Sequence, residues 1–206
     1  AYNNLGAPTS PPDSHGAVGP NHVLNVTNQT IQWFTKAGVQ QSHTSLTNFF
    51  APLFPAPGLG PFDPKAVYDP AAGRYVVIAL EVLDSGSGDS VDASRVLLAV
   101  SDDSDPNGNW HYQSINTMQN IGGVGQWLDY PGLAVDSEAI YITGNMFPFA
   151  SAPATATMGG SRLWIIGKGQ GAGGVYDGGI SSANVFDPTG SAAAGAAFTL
   201  QPATMF

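Results

Sequence analysis

The sequence predicts an all-β chain made of repeated four-stranded antiparallel units, and three observations carry that expectation. First, charged residues are only 10% of the 206, and Glu occurs only as Glu81 and Glu138. Helix surfaces draw on Glu, Lys and Arg, so their shortage argues against helices. Second, 26 Gly and 16 Pro punctuate short apolar runs, the pattern of strands joined by turns. Third, one unit recurs: an Asp, a short strand, a hairpin turn and a longer strand.

The first unit runs Asp13-Ser-His-Gly-Ala17-Val18, turn Gly19-Pro20-Asn21, strand His22 to Thr27. The second runs Asp63-Pro-Lys-Ala66-Val67-Tyr68, turn Asp69 to Gly73, strand Arg74 to Val82. The third runs Asp129-Tyr-Pro-Gly-Leu-Ala134-Val135, turn Asp136 to Glu138, strand Ala139 to Gly144. In the second turn Asp69-Pro70 presets one φ and Gly73 supplies a φ > 0 site, which closes a hairpin. A third strand is expected at Thr30 to Thr35, Arg95 to Ser101 and Arg162 to Gly167. An outer strand is expected at Trp110 to Ile115 and Phe198 to Gln201. The runs Tyr75 to Leu80 and Arg95 to Val100 are apolar on both faces, as strands buried on both sides are.

Four strands per unit, repeating every ~40–50 residues, is the pattern of β-propeller blades. The longer second interval is taken up by an inserted loop, Asp84 to Asp92. The expected fold is therefore one propeller segment over 1–206, with blade units near 11–50, 62–115 and 127–202. A closed propeller needs about 4–8 blades, and only three units fit. The expectation is a fragment of a larger ring, or a ring completed by another chain. Ala51 to Pro61 is too rich in Pro for helix or central strand. Gly167 to Ala197, rich in Gly, Ala and Ser, reads as long surface loops.

Composition excludes several functions. The net charge of −9 repels phosphate backbones and anionic membranes, so neither nucleic-acid binding nor membrane insertion is expected. The chain has no Cys, which removes disulfides, thiolate catalysis and Cys-type metal sites. There is no run of ~18 apolar residues. Low charge with abundant Ser, Thr, Asn and Gly points to a secreted, extracellular or cell-surface protein, and Ala1-Tyr2-Asn3-Asn4 reads as a processed or trimmed start.

The segment Val100-Ser101-Asp102-Asp103-Ser-Asp105-Pro-Asn-Gly108-Asn-Trp110 resembles an Asp-box, the Ser-x-Asp-x-Gly-x-x-Trp turn of sialidase-like and BNR-repeat propellers, with stretched spacing. Asp13 to His22, Tyr68 to Tyr75 and Trp127 to Asp136 look like blade starts of secreted bacterial propellers of this type. The resemblance covers most of residues 11–167 and implies architecture, not activity. Sialidases use three arginines on the substrate carboxylate, a Tyr nucleophile with a Glu partner, and an acidic proton donor. This chain has only Arg74, Arg95 and Arg162 and lacks the Arg-Ile-Pro signature, so no catalytic residues are carried over.

The candidate sites come from the residues themselves. Asp13, Asp63 and Asp129 lead equivalent strands, so in a ring they gather at one end of the axis. There they could bind a cation or polarise a polyol, or each could cap the amides of its own blade start. Trp127, just before Asp129, is the best-placed Trp for stacking on a sugar. Asp103-Ser-Asp105-Pro-Asn107-Gly108 is the first half of a calcium loop. Ser114 stands where the bidentate Glu would be, so a self-capped turn competes with Ca2+. His15, His22, His43 and His111 lack metal-ligand spacing. No Gly-x-Ser-x-Gly elbow occurs, and Gly122-Gly-Val-Gly125 is too short for a phosphate loop. The expected function is a binding or scaffolding module for a glycan or protein, and the residues leave catalysis open. The alternatives are a carbohydrate-active enzyme using the axial Asp residues, and a metal-binding surface protein.

Overall fold

The computed structural model describes residues 10–55, 60–88, 90–188 and 199–203. The chain is all-β and forms three antiparallel sheets, each ordered as the chain runs. The first holds β1 (His15–Val18), β2 (His22–Val26), β3 (Thr30–Thr35) and β4 (Gln40–Ser45). The second holds β5 (Phe62–Asp69), β6 (Arg74–Leu83), β7 (Ala93–Ser101) and β8 (Trp110–Asn116). The third is five-stranded: β9 (Gln119–Ile121), β10 (Val124–Val135), β11 (Ala139–Pro148), β12 (Ser161–Gly167) and β13 (Ala183–Phe186). Between the first two sheets lie a short helix, α1 (Leu46–Phe49), capped by the Ser45 hydroxyl, and a 3₁₀ turn at Ala51–Leu53. Among the described residues no helix is long and apolar enough to cross a membrane.

The second sheet is the middle layer, and its residue pattern requires that. Val76, Ile78 and Leu80 of β6 and Val96, Leu98 and Val100 of β7 pack on the third sheet, against Leu128, Ile140, Ile142, Met146 and Trp164. The alternate residues Tyr75, Val77, Ala79, Leu97 and Ala99 pack on the first sheet, against Leu24, Val26, Ile31 and Trp33. Alternation sends successive side chains to opposite faces, so a strand apolar at every position needs a layer on each side. Strand β5 lies beside both β1 and β10, so the first strands of the units adjoin one another.

Several sequence expectations are corrected. Phe198 lies outside the described residues, and Thr199 to Gln201 is not strand. The outer strand of the third sheet is β13, inside the stretch read as surface loop. That stretch also buries Val175 and Tyr176 completely. Strand β4, which no sequence signal announces, supplies the outer strand of the first sheet. Gly122 and Gly123, at φ 61° and 84°, close the β9–β10 hairpin. A Gly-Gly pair between apolar flanks is a two-residue hairpin turn.

Candidate functional site

Each unit enters its first strand through a residue with left-handed backbone. Asp13, Asp63 and Tyr130 have φ of 43°, 47° and 54°. In β5 and β10 this residue lies in a bulge. Between Phe62 and Lys65 two residues oppose one of β6, and between Asp129 and Gly132 two oppose one of β11. A Pro follows in both, Pro64 and Pro131, where a missing N–H does not break the ladder. The bulge pairing matches Asp63 to Tyr130 and Phe62 to Asp129. The leading Asp of the third unit thus sits one residue before the backbone position held by Asp63.

Despite that offset, the three carboxylates are neighbours. Asp63 is hydrogen-bonded to Asp13 and feels the charge of Asp129, with Lys65 opposing them. Burial first, then these like charges, push its carboxyl up to about 6. The Asn28 side chain ties the group together. Its Nδ2 donates to Asp13 Oδ2 and to the Pro11 carbonyl, and its Oδ1 accepts from the Asp63 amide at 2.6 Å. His15 Nδ1 accepts from the Ala66 amide at 3.2 Å. Burial and the charge of Lys65 hold His15 below the usual imidazole range. Asp129 Oδ1 accepts from the Tyr130 amide. Trp127 stands two residues before Asp129 on the same face of β10, half-buried, with its ring centroid 5.8 Å from that of Phe147. Sequence patterning points neither to Asn28 nor to the role of His15. Their signal is a pairing between sheets, which local spacing does not carry.

The half calcium motif spends its oxygens on its own loop and on the first sheet. Asp103 Oδ1 accepts from the Asp105 amide, and Asp105 Oδ1 accepts from the amide and side chain of Asn107. The Asn107 amide holds Asp105 below the usual carboxylate range. Asn107 turns to the first sheet, where its Oδ1 accepts from Trp33 Nε1 at 2.9 Å and its Nδ2 donates to Gln41. This β7–β8 loop therefore docks the second sheet on the first. Among the described residues no group of three or more His, Cys, Asp or Glu is placed to hold a metal ion.

The arginines are dispersed. Arg74 donates to the carbonyls of Ser101 and Tyr176. Arg95 pairs with Glu81 across the β6–β7 ladder, and Arg162 with Asp187 at 3.2 Å. Trp33 and Trp164 are core residues, 7% and 2% exposed. The site's chemistry is thus a set of carboxyls with one easily held proton, flanked by Trp127. No family model matches the chain, and no curated protein matches it.

Proposed function

We propose that the chain is a β-propeller segment of a secreted or cell-surface protein, related to the BNR-repeat type, and a binding module for a glycan or protein ligand. Supporting the blade reading are three chain-ordered antiparallel sheets stacked face to face with their first strands adjoining. The observation that carries the functional reading is the meeting of Asp13, Asp63 and Asp129 from three sheets beside Trp127. Hydroxyl-rich ligands suit such a place: carboxylates accept from hydroxyls, a protonated carboxyl donates, and an indole stacks on a sugar face. A glycan panel tests it. Asp129→Asn and Trp127→Ala should each weaken the best wild-type ligand about tenfold or more, the loss of one charge-assisted bond or one stacked ring. Unchanged binding in both would remove the site.

A carbohydrate-active enzyme is the second reading, and Asp63 favours it, because a carboxyl titrating at about 6 can act as an acid near neutrality. Asp13 and Asp63 share a hydrogen bond, closer than the ~5–9 Å that two glycosidase carboxyls keep, so the couple would be Asp63 with Asp129. Turnover lost in Asp63→Asn with binding kept would establish it. A third reading places Ca2+ at Asp103, Asp105 and Asn107. Calorimetric titration with Ca2+ decides it: saturable heat that Asp105→Asn abolishes supports the ion, and no heat removes it.

A further inference from the structure

Besides the Asn107 dock, two fastenings join the first and second sheets. At the turn end Tyr75 of β6 reaches into the β1–β2 hairpin, accepting from the Gly19 amide at 3.0 Å and donating to the His22 carbonyl at 2.8 Å. That end is buried, and its hydroxyl does not titrate near neutrality, since burial raises it. At the other end the fastening is ionisable. Asn28 of the β2–β3 turn holds the Asp63 amide, Asp13 and the Pro11 carbonyl, while His15 of β1 holds the Ala66 amide of β5.

We propose that this second fastening is a proton-operated latch, closed while Asp13 and Asp63 share one proton and loosened once both are ionised. Two adjacent carboxyls that both carry charge repel, and one proton between them turns repulsion into a hydrogen bond. Asn28 fixes the roles: its amide donates to Asp13, so Asp13 accepts and Asp63 carries the proton. Asp129 faces Asp63 from β10 and favours its protonation, whereas Lys65 on β5 itself opposes it. Asp13 and Asp63 both hold left-handed backbone, which costs free energy in a residue with a Cβ, so the closed latch must hold both ends in place.

The sign follows from linkage. Asp63 is raised from 3.8 to about 6 in the closed seam, so closing binds a proton. The advantage is complete below the ordinary carboxyl range and is lost as pH climbs through about 6. His15 has the opposite sign. Its Nδ1 must be unprotonated to accept from Ala66, and it is held below 6.5, so acid loosens that bond.

Hydrogen exchange of the whole chain, read by mass spectrometry, tests the latch. The readout is protection of the 60–68 segment in the wild type relative to Asp63→Asn, whose amide donates to Asp13 without titrating. Taking the ratio cancels the His15 contribution. It should fall about tenfold between about pH 5 and pH 7, as one shared proton requires. The same ratio for the β6–β7 hairpin should stay constant. Asp13→Asn removes the pair from the accepting side, must move the ratio in the same direction by less, since burial and Asp129 still raise Asp63, and serves if Asp63→Asn does not fold. A ratio constant with pH in both variants overturns the latch, and so does an equal change in the β6–β7 hairpin, which would report global stability instead.

Discussion

Lys168 and Asp69 form an ion pair whose side chains are 3% and 1% exposed. Asp69 is saturated: Oδ1 accepts from the amides of Ala71 and Ala72, and Oδ2 takes both Lys168 and the Tyr176 hydroxyl at 2.7 Å. Arg74 and Lys168 both lie over the Tyr176 ring, 5.4 and 5.2 Å from its centroid. Burial and the Asp69 carboxylate drive the Tyr176 phenol far above its ordinary range. Removing one partner of such a pair strands a buried charge, so Lys168→Met should cost about 3–5 kcal/mol in urea unfolding. The double variant with Asp69→Asn, whose Oδ1 still accepts from the Ala71 and Ala72 amides, should recover part of that loss; no recovery would mean the charges are not coupled. Tyr176→Phe should cost about 1–3 kcal/mol by leaving one carboxylate bond unmade. His15 gives a pH dependence of its own. Because its folded value lies below 6.5, the unfolded chain binds the proton more readily, and stability rises with pH up to about that value. His15→Gln, which keeps an acceptor for Ala66 without a titrating nitrogen, should flatten this slope in acid titrations followed by circular dichroism. A slope unchanged in the variant would remove His15 as its source. None of the Lys168 cluster was legible in the sequence, because its members lie on different turns and meet only when sheets stack.

Elements were legible where a turn or an alternation announces them. Strands β5 to β8 follow their expected spans closely, since Asp69-Pro70 with Gly73 marks a turn and β6 and β7 are unbroken apolar runs. Strand β4 has the composition Gln-Gln-Ser-His-Thr-Ser and no apolar period; pairing with β3 alone makes it a strand. Strand β13 is likewise recruited by β12 from a loop-like context. The Gly-Gly pair stands out in the sequence, but only its strand partners distinguish a hairpin turn from a truncated phosphate loop. Both glycines hold positive φ, and a Cβ added at either would meet nothing within 4 Å, so backbone strain alone decides the cost of substitution. Gly123→Val should therefore cost about 1–2 kcal/mol, read as a lowered midpoint in thermal unfolding; a neutral result would show that the hairpin can change turn type. At Gly19, in contrast, a Cβ would come within 2.3 Å of the Tyr75 hydroxyl. Gly19→Ala breaks that end of the seam by displacement and not by φ.

The whole molecule is a stack in which the middle sheet touches both others, and the apolar continuity of β6 and β7 expresses this in the sequence itself. Leu98 is fully buried on the face toward the third sheet and Leu97 on the face toward the first. Each Leu→Ala change should cost about 2–5 kcal/mol, and the two should be close to additive because they empty different layers. Strong non-additivity in denaturant titration would mean that the two layers are energetically coupled through β7. The third sheet also carries a covering on its far face. The Leu200 carbonyl accepts from the Thr143 hydroxyl at 2.8 Å, and the Thr199 hydroxyl accepts from Asn145 at 2.9 Å. Nothing in the Gly- and Ala-rich sequence around these residues announces that placement, which depends on polar groups of β11 separated from it by more than fifty positions.

Because every sheet is completed by strands in the order the ribosome delivers them, each can pair with itself soon after emerging. The middle sheet then spends an interval with one greasy side lacking its cover, until β10 and β11 arrive. A chaperone bound over that interval would cover the face that is otherwise open to aggregation.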